Sequence, residues 1–247
     1  MAKQEPGVSL PMDSWSEPIT DPEILESIKA LPTEDDLPCD DGEPMETPRH
    51  RDQMMLLIES LKVHWAERPR YYVSGNMFVH YDPENKRHSR GPDFFLVLDV
   101  EERERKSWVV WWEGMRFPDV VIELLSDSTR GEDTGVKKEL YARLFHTAEY
   151  YLYDPFSQEF IGYELRGSRY AEGRIYSPVT GLSLAVREGW LRWLGADGEV
   201  LPTPWELAQQ ERQRAEQEHQ RTEQERQRAE RAEELLETYR QRFGSLE

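Results

Sequence analysis

Residues 117–155 have the sequence FPDVVIELLSDSTRGEDTGVKKELYARLFHTAEYYLYDP, and this stretch decides the fold. Its first part, Asp119–Ser126, is a run of β-branched and aliphatic residues that is typical of a buried strand. Turn residues follow, a helix is predicted over 132–146, and a second apolar strand, Tyr150–Tyr153, ends at Asp154 and Pro155. The order strand, turn, helix, strand predicts an α/β unit with a crossover helix.

Glu123 is the residue that does not fit this buried strand. Carboxylates are almost never fully buried without a partner or a metal. On the predicted helix, Asp133, Lys137 and Tyr141 are spaced four apart, so they lie on one face. An acid stranded at this point of an α/β unit predicts chemistry at the end of a sheet.

The acidic charge of the chain is concentrated near its start. The 247 residues carry a net charge of -18, with 13 acids and 2 bases up to Glu46. The middle, Thr47 to Pro202, holds 25 acids and 21 bases. The residues from Thr203 onward hold 11 acids and 8 bases. The overall charge disfavours avid, non-specific binding of nucleic acid, but a local basic groove is compatible with it.

Three absences bound the class of protein. The single cysteine, Cys39, excludes an internal disulfide and a cysteine-based metal site. No apolar run approaches the roughly 20 residues of a membrane span, and no secretory signal opens the chain. We therefore expect a cytoplasmic protein that does not contact a membrane.

Three segments are predicted. Residues 1–40 form an acidic, largely disordered extension with one short helix at 21–30. Residues 41–202 form an α/β domain, a mixed sheet with flanking helices, with a first helix from Pro48 to Leu61. Further strands are predicted at 71–81 (with a bulge or bend at Gly75), 94–100 and 107–113, and later strands of the same sheet system at 159–165, 182–186 and 190–194.

Residues 203–247 form the third segment, a long charged helix. Its three consecutive seven-residue repeats, ERQRAEQ, EHQRTEQ and ERQRAER, begin at Glu211, Glu218 and Glu225. This period is typical of a coiled coil, although only one small residue per repeat is available for a seam. Two interpretations stay open for 205–243: pairing with a second copy or a partner helix, and a solvated single helix.

Two acids stand where chemistry is plausible, Asp93 after Pro92 and Glu123. If their strands are neighbours, both carboxylates can converge on Mg²⁺, which is typically held by one or two carboxylates, waters and substrate phosphate. Lys137 is the expected donor to a phosphoryl group, because Lys138 points about 100° away around the helix.

Structural interpretations stand beside these. Glu123 and Lys137 could form a buried ion pair while Asp93 caps a turn. Asp119 shares the strand parity of Glu123 but lies roughly 13 Å away, so we expect it to be accessory or structural. We expect five tryptophans to fill the core rather than stack on bases: Trp108, Trp111, Trp112, Trp190 and Trp193.

Four motifs in order resemble one family. They are Gly91-Pro92-Asp93, then 121–129 (VIELLSDST), then Asp133 with Lys137 and Tyr141, then 149–155 (EYYLYDP). Over roughly residues 41–195 the chain resembles the Uma-two family of restriction endonucleases, within the PD-(D/E)XK nuclease superfamily. Asp41-Gly42-Glu43 and His50 also resemble the family's N-terminal pattern.

The resemblance implies a restriction-endonuclease-like fold and a metal-dependent phosphodiesterase site. It implies that Asp93 and Glu123 hold Mg²⁺, for which Mn²⁺ can substitute, and that DNA is the substrate. The superfamily lysine should stand at position 125, which is Leu125, so the resemblance suggests that Lys137 replaces it. Glu43, His50 and Asp133 are accessory candidates, for each of which a cap or a surface hydrogen bond is the alternative. The alternative function is a catalytically inactive nuclease-like module that recruits partners through its C-terminal helix.

Overall fold

The structure is a computed structural model that describes residues 21–39, 47–126 and 128–244. The chain divides into two units, Met1–Leu201 and Pro202–Glu247. The described strands all lie in the first unit: β1 Tyr71–Ser74, β2 Val79–His80, β3 Ser89–Arg90, β4 Phe94–Leu98, β5 Trp108–Val109, β6 Val120–Leu124, β7 Glu149–Tyr153, β8 Phe160–Arg166, β9 Arg169–Glu172, β10 Tyr176–Ser177, β11 Leu182–Arg187 and β12 Trp190–Leu194.

A six-stranded sheet in the order β1-β4-β6-β7-β8-β9 organises this unit. Only β6 and β7 are parallel to each other, and the other neighbours are antiparallel. Parallel neighbours need a crossover connection, which is the helical stretch 130–145, called here the crossover helix. The predicted α/β class, a mixed sheet with flanking helices, is confirmed.

The two faces of the sheet are covered by different elements. Residues Val120, Ile122 and Leu124 of β6 face a core that includes α2 (Pro48–His64). Val121 and Leu125 face the opposite core, together with aromatic residues of the crossover helix. This alternation follows from the period of two along a strand, and it places Glu123 on the face of the crossover helix.

Some strands lie in sheets other than the predicted one. The strands β10, β11 and β12 form a separate three-stranded sheet, and β3, β2 and β5 form another. Leu184 and Trp193 of the first small sheet pack into the core beside α2. Apolar composition identifies a strand but not its neighbour, so the prediction that 182–186 and 190–194 belong to the same sheet system as 159–165 was wrong.

The bend predicted at Gly75 is confirmed, and it separates β1 from β2. A Cβ atom on this glycine would lie 2.1 Å from the carbonyl oxygen of Asp93 and 2.7 Å from Sδ of Met54. Asn76 follows with a φ of 49°, and its N–H donates to the carbonyl of Pro92 at 2.8 Å. Only a residue without a side chain lets the chain pass so close to the segment that carries Asp93.

The segment predicted as a strand at 107–113 is shorter in the structure. After Val109 the chain turns, with the N–H of Trp112 donating to the carbonyl of Val109 at 2.9 Å. The tryptophans follow the core expectation in large part: Trp108, Trp111 and Trp193 are buried, Trp190 is half-buried and Trp112 is partly exposed.

Part of the N-terminal segment packs against the rest of the first unit. The short helix predicted there is confirmed as α1, Pro22–Lys29. Beyond it, the carbonyl of Pro32 accepts from the indole of Trp111 at 2.8 Å, and that of Pro38 lies 2.8 Å from Nε2 of His80. Residues 1–20 and 40–46, most of the predicted extension, lie outside the described residues.

The predicted long C-terminal helix is confirmed at Pro204–Phe243, 40 residues. It begins with a capping box, in which Thr203 and Glu206 exchange hydrogen bonds between side chain and backbone. Its described side chains are mostly exposed. None of the helices in the described residues is long and apolar enough to cross a membrane.

Candidate active site

Asp93 and Glu123 meet where β4 and β6 lie side by side. The register pairs Phe94 with Ile122, so the acids are at adjacent positions of the antiparallel pair. Oδ2 of Asp93 accepts from the N–H of Leu124 at 2.7 Å, and Oε2 of Glu123 accepts from the N–H of Asp93 at 3.3 Å. Asp93 therefore bonds across to β6 instead of capping its own turn, which excludes the turn-cap interpretation.

The crossover helix supplies the cation. Nζ of Lys137 lies 3.3 Å from Oε1 of Glu123 and 2.8 Å from Oδ1 of Asp133. Glu123 is fully buried, and the side chain of Lys137 is only 14 % exposed. Lys138 points elsewhere, with its Nζ 3.6 Å from the ring centre of Tyr163. The expected difference between the two lysines is confirmed.

The sequence predicted a regular helix here, but the crossover helix is irregular. Two π-helical segments, Asp133–Lys137 and Tyr141–Phe145, alternate with the short α segments Arg130–Glu132 and Lys138–Leu140. π-helical turns are rare overall, but those that occur are often found at functional sites. Here the first of them carries both Asp133 and Lys137.

Two tyrosines complete the hydrogen bonding of the buried site. The hydroxyl of Tyr141 donates to Oε1 of Glu123 at 2.8 Å, and that of Tyr150 donates to the carbonyl of Asp133 at 2.9 Å. The four-residue spacing placed Tyr141 on the helix face of Lys137 but indicated no role for it. Its spacing from Lys137 could have identified it, because the hydroxyl of a buried tyrosine usually needs a hydrogen-bond partner.

The electrostatics of the pair are set by burial. Burial raises the pKa of Asp93 to about 6 and that of Glu123 to about 8, although Lys137 opposes the rise. Burial would lower the pKa of Lys137, but the adjacent Glu123 and Asp133 outweigh it and raise that pKa above its ordinary value. At neutral pH the pair therefore holds about one proton, and Lys137 is charged.

The donor set suits a hard divalent cation. Asp93 and Glu123 offer carboxylate oxygens, and Mg²⁺ is typically bound by one or two carboxylates, with waters and substrate phosphate in the other positions. Among the described residues, no group of three or more His, Cys, Asp and Glu side chains is arranged to hold a metal ion. The pair thus fits Mg²⁺ better than a metal that needs a full protein cage.

The other predicted residues have separate positions. His50 is buried at the start of α2, with Nδ1 2.8 Å from Oγ1 of Thr47 and Nε2 3.3 Å from the carbonyl of Leu125. It thus contacts the backbone at the end of β6, two residues after Glu123. Glu43 lies outside the described residues. Leu125 is buried in the apolar core on the same face as Glu123.

Asp119 lies at the opposite end of β6 from the site. Its Oδ2 accepts from the N–H of Leu98 at 2.7 Å, and burial raises its pKa to about 6. This carboxyl satisfies a backbone N–H group of β4, which is a structural role.

The chain was compared with known proteins. Residues 25–193 match the Uma2 family, described as "Putative restriction endonuclease". The match begins earlier than residue 41, where the resemblance of the sequence motifs begins. A search of curated proteins found no match.

The chain is similar to solved structures. One of them is the crystal structure of a "putative nuclease belonging to DUF820" from Anabaena variabilis. The two share 16% sequence identity, over 64% of this chain and 90% of that chain, with a TM-score of 0.41.

The raised carboxyl pKa values predict how stability depends on pH. A carboxyl whose folded pKa is raised stabilises the protein fully below its unfolded pKa, and the contribution is lost as pH rises through the folded pKa. For Glu123, whose pKa rises from 4.5 to about 8 on folding, the metal-free protein should therefore lose stability between about pH 4.5 and 8.

Urea unfolding at these two pH values checks this, with Glu123→Gln as the matched variant. The wild type should lose more free energy of unfolding than Glu123→Gln over the same window, since the amide does not titrate. An identical pH dependence in the two proteins would show that Glu123 is already ionised.

Proposed function

This chain belongs to the Uma2 family of "putative restriction endonucleases", and on that premise we propose that it is a metal-dependent endonuclease that hydrolyses phosphodiester bonds in DNA. Asp93 and Glu123 would hold Mg²⁺, or Mn²⁺ in its place. The ion, when bound, neutralises charge on phosphate oxygens and lowers the pKa of water. The observation that carries the proposal is the convergence of Asp93, Glu123 and Lys137: the two acids bond across β4 and β6, and Nζ of Lys137 lies 3.3 Å from Oε1 of Glu123.

In this proposal Lys137 takes the place of the superfamily lysine. Position 125 shares the face of Glu123 but holds a leucine that packs in the core. The crossover helix lies over that face, so a lysine on it can reach the same region from above. An ammonium group has three N–H donors. Glu123 and Asp133 engage two, which leaves one donor for a phosphate oxygen.

The remaining groups keep the acids and the lysine in place. Asp133 holds Lys137 charged and fixes its direction, and the hydroxyl of Tyr141 fixes Glu123. The N–H of Leu124 fixes Asp93. Groups fixed before the reaction stabilise developing charge most effectively, because they need no reorganisation.

A cleavage assay with supercoiled DNA and Mg²⁺ or Mn²⁺ tests the proposal. We expect Asp93→Asn and Glu123→Gln to abolish cleavage and Lys137→Met to lower its rate about 10²- to 10³-fold, the usual effect of losing one charge-stabilising donor. Lys138→Met is the matched control, since it removes an adjacent lysine that points away from the acids.

The control should stay within about threefold of the wild type, a margin well below the loss of one donor. Equal cleavage by the wild type, Asp93→Asn and Glu123→Gln would contradict the assignment, and so would equal losses in Lys137→Met and Lys138→Met.

The second candidate is an interaction role for the C-terminal helix. Ala208, Ala215, Thr222, Ala229 and Leu236 recur every seven residues along it, and their positions on a helix with this period form one stripe. We propose that this stripe pairs with the same stripe of a second copy. If the acids prove inactive, such pairing would be the main function of the chain.

The mass of the full chain in solution tests this pairing. The wild type should have about twice the mass of one 29.2 kDa chain, and Ala215→Glu with Ala229→Glu should give the single-chain mass, because two charges would be buried in the seam. The matched control is Gln213→Glu with Gln227→Glu, on the opposite side of the helix. A wild type with the single-chain mass at all concentrations would contradict the pairing.

A further inference from the structure

Phe156 is an exposed aromatic residue at the same end of the sheet as the acids. Its side chain is 65% exposed, and among the described side chains no other phenylalanine is mostly exposed. It stands in the turn after β7, the strand next to β6. A ring exposed in this way can stack on a ligand.

The turn that carries Phe156 is braced. Oδ1 of Asp154 accepts from the N–H groups of Phe156 and Ser157 at 2.9 and 3.0 Å. The guanidinium of Arg130 binds Oδ2 of Asp154 at 2.5 Å and Oε2 of Glu159 at 2.9 Å. These contacts tie the turn to the start of the crossover helix and fix its backbone.

The turn also lies close to the acid pair. The N–H of Leu125 donates to the carbonyl of Tyr153 at 2.7 Å, so the ends of β6 and β7 adjoin. The ring of His50 bridges the same gap, with Nε2 3.3 Å from the carbonyl of Leu125 and its centre 6.0 Å from that of Phe156. Because neighbouring strands lie about 4.8 Å apart, the turn that carries Phe156 adjoins the end of β6, the strand that carries Glu123.

A cation lies beside this ring. Nε of Arg49 donates to the carbonyl of Pro155 at 2.7 Å, and another of its nitrogens donates to the carbonyl of Gly189. Its guanidinium carbon lies 4.3 Å from the ring centre of Trp190. Arg49 therefore places a positive charge beside this turn in a chain that is acidic overall.

We infer that Phe156 and Arg49 form a nucleotide subsite, in which the ring stacks on an unpaired base and the guanidinium attracts the neighbouring phosphate. An aromatic ring offers stacking to any base, but a base inside a duplex is already stacked. The subsite therefore selects DNA with an unpaired base near the scissile phosphate, as in single strands, flaps and gaps. This inference rests on the proposed function.

The test compares two substrates and two readouts. One substrate is a single-stranded oligonucleotide with 2-aminopurine, whose fluorescence falls on stacking, and the other is the same sequence as a duplex. Binding is measured without divalent metal, and cleavage with Mg²⁺. The variants are Phe156→Ala, Phe156→Tyr, which keeps an aromatic ring, and Ile175→Ala, a control at another exposed apolar residue (60% exposed).

The wild type should quench 2-aminopurine and cleave the single strand with a lower KM than the duplex. Phe156→Ala should lose the quenching and raise KM for the single strand about tenfold or more, with little change in kcat. Phe156→Tyr and Ile175→Ala should stay close to the wild type. Thermal unfolding should be nearly unchanged in all three variants, since both side chains are exposed.

The outcomes separate the two claims. Cleavage by the wild type with an unchanged KM and unchanged quenching in Phe156→Ala would overturn the subsite and leave the nuclease function standing. Quenching that depends on Phe156, without cleavage under any metal, would support the subsite as a binding site and overturn the endonuclease. A wild type that neither binds nor cleaves would overturn both.

Discussion

The complete burial of the Glu123 carboxyl group is the constraint on which the rest of the structure depends. A buried acid without partners would cost more free energy than most single packing contacts return. Here the hydroxyl of Tyr141 and the ammonium of Lys137 reach Oε1, and the N–H of Asp93 reaches Oε2. These partners come from the crossover helix and from the start of β4, so the position of both elements is linked to one side chain.

The sequence predicted the parts of the site that follow from periodicity. An acid within an apolar strand identified Glu123, and four-residue spacing placed Asp133, Lys137 and Tyr141 on one helix face. Spacing did not predict the π-helical turns, because a π-turn depends on which hydrogen bonds the packed helix can make. Asp93 was a candidate from its position after Pro92 at the start of an apolar strand, but the sequence left open whether that strand neighbours the strand of Glu123, 30 residues away in the chain.

Which strands pair with one another was harder to predict than the strands themselves. Leu184 and Trp193 lie in strands that alternate like the others, yet these strands form a sheet of their own against α2. Gly75 was recognisable as a bend, but the reason for it, the approach of the Asp93 carbonyl, exists only in the folded chain. Phe156 likewise had no sequence signal, since one aromatic residue in a turn is not periodic.

Two acids at different positions along β6 have different surroundings. Asp119 and Glu123 have the same parity, but Asp119 satisfies a backbone N–H of β4, whereas Glu123 meets a lysine and a second acid. The site thus combines two carboxyls that hold about one proton at neutral pH with a lysine that stays charged. A divalent cation bound by both carboxyls would have to displace that proton.

The most direct test of this account is calorimetric titration of the full chain with Mg²⁺ at pH 7, in buffers with different heats of ionisation. With pKa values of about 6 and about 8 for Asp93 and Glu123, binding should release about one proton. Glu123→Gln should lose both the binding and the release. Binding without proton release, or equal binding by the wild type and Glu123→Gln, would contradict the account.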